Sequence, residues 1–268
     1  MTGITQQIKE LRDRQKIEHF LREDPFYQIY SIGDLDDFFW SDTKWYALTS
    51  GKEITCIFLI YNDDQYPVLL ALNHRKQVIS ELNLREIAPI LPSKFYAHLT
   101  EDLKVLFELK YHIKSFGVHY KMGLIDYTVI KEMDTTAVER LTVKDINEIH
   151  NLYEISYPNN WFNERMLKTG QYFGIKQKNK LISIAGVHVY SERYRVAALG
   201  NITTHPEYRN KGFGKLVTAA LCQSLVRNID HIGLNVNVDN TGAITCYKNL
   251  GFEVVGSYEE CLLTPTTK

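Results

Sequence analysis

Little in this sequence marks a specialised environment. Its four cysteines, Cys56, Cys222, Cys246 and Cys261, lie far apart and form no CxxC pair. No His and Cys group has metal-ligand spacing, so neither a zinc module nor a disulfide framework organises the chain. The thiols read as buried and free in a reducing compartment. Charge of one sign is missing too. The formal net charge is −1, and without a basic surplus a nucleic-acid partner is not expected. Long apolar runs are absent, since the longest, around Ile57–Tyr61, is far too short to cross a bilayer. Met1 to Lys16 holds no apolar segment of the kind a secretory signal needs. The expectation is a cytoplasmic protein that uses no metal, binds no membrane and works as a monomer or homodimer.

What is present fits an ordinary globular chain. Its 268 residues are 44% hydrophobic and 24% charged, enough for one large domain or for two of about 130 residues each. Three strand-like runs, Trp45–Leu48, Ile54–Tyr61 and Val68–Leu72, follow a loosely helical stretch over residues 4–21 and a polar, aromatic segment from Tyr27 to Trp40. A helix from about Val78 to Ile90, a strand at Phe95–Leu99, a helix at Asp102–Leu109 and strand-like residues Tyr111–Ile125 come next. The second half repeats that order. Helical spacing after Asp145 leads into strands at Tyr172–Lys176, Leu181–Tyr190 and Val196–Thr203. A helix over Gly212–Arg227, an alternating strand at Ile232–Val238, a helix at Ala243–Leu250 and a strand at Phe252–Val255 complete it. The polar stretch Asp126–Thr136 separates the halves, giving domains at 1–130 and 131–268. One continuous mixed sheet is the alternative.

The most informative segment is Arg209-Asn210-Lys211-Gly212-Phe213-Gly214, which follows the strand ending in Ile202-Thr203-Thr204 and opens a helix. Two closely spaced glycines are too common to mean much alone. A strand, a glycine loop and a helix start together make an anion cradle, because outward backbone N–H groups and the helix dipole both favour negative charge. Gly212 and Gly214 admit a phosphate closely, and Arg209, Lys211 and Lys215 can add charge-assisted contacts. The natural guest is a pyrophosphate. A dinucleotide fold would place its glycines after the first strand of a βαβ unit, and a P-loop would end in Lys-Ser or Lys-Thr, where this chain has Gly214-Lys215-Leu216.

These residues resemble the GNAT (GCN5-related) N-acetyltransferase family. Asn201 to Gly214 is similar to its motif A, and Leu234 to Phe252, which includes Asn240, Ala243, Tyr247 and Gly251, is similar to its motif B. The second motif is nearest in wording to the FR47-like and glycine N-acyltransferase-like branch. The resemblance covers about residues 138–262 and implies an α+β class with a mixed α/β sheet, built as two tandem GNAT-like halves. It implies acetyl-CoA, or another acyl-CoA, as co-substrate and a primary amine as acceptor. Ile202, Thr203 and Thr204 then pair with the pantetheine arm, and residues Arg209–Lys215 hold the pyrophosphate. Tyr247 matches the general acid for the departing thiolate, and Asn240 and Ala243 match cofactor contacts. A non-catalytic acyl-CoA sensor or assembly subunit is the alternative.

Simpler roles stand beside these. Tyr247 shares a helical face with Ala243, Ile244 and Leu250, as a core aromatic would. Asn240 also suits a helix cap. The base is left open between water, His188 and His205. Asn201 stands where some relatives carry Glu, so no carboxylate base is available there. Tyr157, Trp161, Phe162 and Tyr190 either line the acceptor pocket or pack on the core. In the first half, Asn73 to Ser80 holds no glycine, and Leu106 or Phe107 replaces the tyrosine. That half is expected to be an inactive copy.

Overall fold

The computed structural model describes residues 6–62, 65–72, 87–158 and 160–266. Two compact units emerge: Met1–Tyr120 with Gly256–Lys268, and Lys121–Val255. The chain leaves the first unit at 120/121 and returns to it at 255/256, so the end of the chain groups with the first unit.

In the first unit, strands β1 (Gln6–Glu10), β2 (Thr43–Ser50), β3 (Glu53–Tyr61) and β4 (Val68–Ala71) pair antiparallel in chain order. β4 then pairs parallel with β5 (Phe95–Leu99). The other side of β5 is taken by the C-terminal strand β12 (Phe252–Pro265), whose Glu259–Leu263 run antiparallel to it. Helices α1 (Arg14–Leu21), α2 (Ile29–Gly33) and α3 (Asp37–Trp40) precede β2, and α4 (Glu101–Glu108) follows β5. Leu48, Phe58, Phe95, Phe107 and Leu263 meet in the core. Two readings change here. Of the stretch read as helical over residues 4–21, Gln6–Glu10 form a strand paired with β2, and the helix is α1, which Asp13 caps by accepting from Lys16 N at 3.1 Å. The stretch Tyr27–Trp40 contains α2 and α3, which bury Ile29, Ile32 and Phe39. The glycine-free segment Asn73–Ser80 and most of the helix read at Val78–Ile90 lie outside the described residues.

The second unit begins within β6 (Tyr111–Leu124), whose last residues lie beside β11 (His231–Asn237). After α5 (Thr128–Glu132) come β7 (Glu139–Arg140), α6 (Ile146–Ser156), β8 (Phe173–Gln177), β9 (Lys180–Ser191) and β10 (Val196–Thr204). Next are α7 (Phe213–Leu225), β11 and α8 (Thr241–Lys248). β7 to β10 pair antiparallel in order and β10 pairs parallel with β11. This repeats the sequence of pairings from β1 to β5, so the internal duplication is structural. Each unit ends on a strand from the other half of the sequence: β12 beside β5, and the end of β6 beside β11.

Local chemistry sets the frame for the site. Lys178 and Asn179, at φ 51 and 59, form the two-residue turn that fixes Gln177 opposite Lys180. Val217, Leu221 and Leu225 recur every four residues on α7 and are all buried. At about 1.5–3 kcal/mol for each such side chain, that face anchors the helix whose first turn carries the glycine loop.

Candidate active site

β10 pairs with β11 only from Val196↔His231 to Leu199↔Leu234. Beyond Leu199 it continues through Thr204 against β9 alone, so a gap opens between two parallel neighbours. At that point β10 also bulges. Gly200 faces Gly186 and Thr203 faces Ile184, so Asn201 and Ile202 together oppose the single residue Ala185. Asn201 supplies the bend, with a left-handed φ of 55. It is buried, its carbonyl accepts from Tyr153 Oη at 2.8 Å, and its Nδ2 donates to Tyr172 Oη at 3.1 Å.

The glycine loop adjoins the open end of the gap. Asn210 (φ 60) and Gly212 (φ 84) are both left-handed, and a side chain at Gly212 would meet nothing within 4 Å. No side chain caps the start of α7, which leaves its first N–H groups available. The open space and free donors suit the pyrophosphate of an acyl-CoA, and the parted strands suit its extended arm. The three cations behave differently. Arg209 donates to Thr204 O (3.1 Å) and Ser156 O (3.3 Å), tying the loop to β10 and α6. Lys211 donates to Glu207 O at 3.0 Å and lies 5.2 Å from the Tyr208 ring centre. Lys215 has no hydrogen bond or ion pair among the described residues, and its charge lowers the Cys246 thiol against the upward push of burial. Thr203 and Thr204 are partly buried, and Thr204 Oγ1 lies 2.8 Å from Ser183 Oγ.

Asn240 caps α8, its Oδ1 accepting from Ala243 N at 3.2 Å. One turn on, Tyr247 is 9% exposed and packs 5.9 Å from the Phe252 ring. Burial first, and then neighbours that include Tyr157, hold its phenol well above the ordinary tyrosine range. It therefore carries its proton at neutral pH. Behind it, Gly251 (φ 91) accepts from Ile125 N at 3.0 Å and Asp126 N at 3.1 Å, fixing the end of α8.

On the acceptor side the residues separate. His188 lies flat over Gly200, where a side chain would come within 2.3 Å of its ring. Burial lowers its pKa while Asn201 opposes that shift, so the imidazole is neutral at pH 7. Tyr157 and Trp161 are exposed, whereas Phe162 packs edge-on against His150 and Tyr172 and tilted against Tyr153. Tyr190 is not brought to the bulge. It faces Ala197, donates to Glu192, and has its phenol pushed up to about 12 by burial and that carboxylate. His205 serves a turn, its Nδ1 accepting from Glu207 N at 3.3 Å. Sequence reasoning passed over Tyr153 and Tyr172. The signal for the bulge was Gly200-Asn201 inside a strand pattern, which marks an irregular backbone.

A mixed sheet that parts beside an uncapped helix start offers an anion site next to an open strand edge. Residues 136–252 match the model of the Acetyltransferase (GNAT) family. Acyl transfer from acyl-CoA is the chemistry of that family. No curated protein matches the chain. Among solved structures, a Drosophila protein is similar over 98% of this chain and 100% of its own, at 13% identity and a TM-score of 0.71. A GCN5-related N-acetyltransferase from Sphaerobacter thermophilus is similar over 96% and 95%, at 10% identity and a TM-score of 0.62. A tandem GNAT protein from the clavulanic acid biosynthesis pathway is similar over 98% and 100%, at 12% identity and a TM-score of 0.57. At these identities the likeness is one of fold.

Proposed function

We propose that the second unit is an N-acetyltransferase that moves an acetyl group from acetyl-CoA to a primary amine of a small molecule or peptide. The observation that carries this reading is the parting of β10 from β11 beside the uncapped start of α7. Acetyl-CoA bound there supplies the acyl group as an activated thioester. Gly212, Phe213, Gly214 and Lys215 offer backbone N–H groups and one free cation to the pyrophosphate. Ile202, Thr203 and Thr204 offer the backbone of an unpaired strand edge to the pantetheine arm. Tyr247 holds a proton, and its raised pKa keeps it available to a departing thiolate. Neutral His188, or water, takes the proton of the attacking amine.

The first half is proposed to be a copy without cofactor chemistry. β4 is paired with β5 along its whole length, from Val68↔Tyr96 to Ala71↔Leu99. Of the two residues read against Tyr247, Phe107 is fully buried in that unit's core and Leu106 packs against the same cluster.

The test is thiol release from acetyl-CoA with a panel of primary amines. Wild-type protein should release thiol only when a suitable amine is present. Tyr247→Phe should lower kcat about a hundredfold while CoA affinity holds. Binding of CoA with no amine-dependent release would instead favour a sensor.

A further inference from the structure

We propose that Tyr153 and Tyr172 are positioning residues for the transfer, acting through Asn201 to hold the bulge of β10 in shape. This rests on the acyl-transfer reading above. A non-glycine residue with φ 55 inside a strand is held against its preference. Here the holding groups are two buried phenols. Tyr153 reaches from α6 and donates to the Asn201 carbonyl at 2.8 Å. Tyr172, just before β8, donates to Val187 O at 3.0 Å and accepts from Asn201 Nδ2 at 3.1 Å. Its one proton is shared between Val187 O and the weaker acceptor Met166 Sδ at 3.4 Å, so Tyr172 Oη meets Asn201 as an acceptor, of Nδ2. Oδ1 is buried short of an aligned hydrogen bond, yet it still favours protonated His188.

The surroundings are shaped to fit this clamp. Gly186 is bare because any Cβ there would lie 2.1 Å from the Tyr172 ring. Gly200 is bare under His188 in the same way. Both phenols are pushed well above the ordinary tyrosine range by burial, so neither exchanges protons near neutral pH. Their work is therefore geometric. The bend at Asn201 decides where Ile202 sits at the mouth of the gap, and a sub-ångström change in a donor there affects the reacting state more than cofactor binding.

The experiment compares Tyr153→Phe, Tyr172→Phe, Asn201→Gly and Asn201→Ala in the full chain. Tyr153→Phe should lower kcat about tenfold with the KM for the amine and the Kd for CoA within about twofold. Asn201→Gly, which accepts a left-handed φ freely, should retain more kcat than Asn201→Ala. Ser191→Ala, which removes a buried acceptor of the Tyr194 N–H (3.0 Å) at the far end of β9, controls for general loss of stability. Amide exchange supplies a readout independent of turnover. Residues 201–203 should exchange faster in Tyr153→Phe, while the Val196–Leu199 pairs with β11 do not change. Unchanged exchange in both tyrosine variants overturns the proposal, as does a fall in kcat no larger than that of Ser191→Ala. If wild-type protein acetylates no amine, the function fails instead, and exchange at the bulge alone then decides whether the tyrosines hold it.

Discussion

Replacing Gly212 with alanine separates the cradle from the fold. Gly212 sits at φ 84, and an L-residue held there costs roughly 1–2 kcal/mol. A Cβ meets nothing within 4 Å, so no clash adds to that cost. The strain is present with or without ligand and should appear as a stability loss of about 1 kcal/mol. Affinity responds for another reason: the methyl group occupies the space through which phosphate oxygens reach the first N–H groups of α7. Losing one charge-assisted hydrogen bond of about 1.5–3 kcal/mol weakens CoA binding roughly ten- to hundredfold. Gly214 is the internal comparison. Its backbone is not left-handed and its Cβ would lie 3.3 Å from Thr204 Oγ1, a contact eased by a small shift of that side chain. Gly214→Ala should therefore change the CoA Kd by no more than about threefold. Calorimetric titration with CoA and urea unfolding measure the two effects. If Gly212→Ala loses stability while its CoA affinity stays at wild type, or if Gly214→Ala is the more damaging for binding, the cradle is elsewhere.

Gly251→Ala should act on the fold, because φ is 91 and the new Cβ would stand 1.6 Å from Asp126 O; a loss of about 3 kcal/mol or more is expected in denaturant unfolding. Asp34 is 6% exposed and burial pushes its carboxyl up to about 8. Its folded pKa thus exceeds the unfolded 3.8, so the stability it favours is complete below that value and is lost as pH climbs toward 8, by at most about 1.4 kcal/mol per pH unit. Asp34→Asn should consequently gain stability at pH 8 and little at pH 4, and parallel unfolding profiles for the two proteins would contradict this. For Tyr247 the raised phenol predicts that kcat does not fall from loss of the acid until the pH passes the ordinary value of 10.0, which a pH profile of single-turnover transfer can check.

Much of the fold was legible because its signals are local. Strand alternation, the Lys178-Asn179 turn and the four-residue apolar repeat on α7 are each set within a few neighbours. The repeated order of elements also showed, and the pairing of β1–β5 and β7–β11 has the same sense at every step. What stayed hidden was long-range pairing. Nothing within Glu259–Leu263 says that its partner is Phe95–Leu99 in the other half of the sequence, since a buried strand reads the same beside any neighbour. The opening strand was missed for a related reason: Ile8 alone faces inward, too few apolar positions to tell a period of two from one of 3.6.

The site shows the same limit more sharply. The glycine loop and the Asn240-to-Tyr247 helix could be read as motifs because their chemistry sits in consecutive residues. Arg209 was read as a loop cation for the pyrophosphate, and its guanidinium also donates to Thr204 O and Ser156 O, which ties the loop to β10 and α6, while Lys215 makes no hydrogen bond or ion pair among the described residues. Charge count along a sequence measures how many cations a loop has, and only the fold shows which are already bonded. The Asn201 bend goes further, since its hydrogen-bonding partners stand 48 and 29 residues away in the chain. A backbone shape that relies on distant phenols leaves one local trace, Gly200-Asn201 within a strand, and that trace marks where the strand is irregular without naming what holds it. On the proposed reading, the site keeps its cofactor contacts in a short motif and its alignment in the surrounding fold, so Gly212→Ala should be read in Kd and changes at Tyr153 or Tyr172 in kcat.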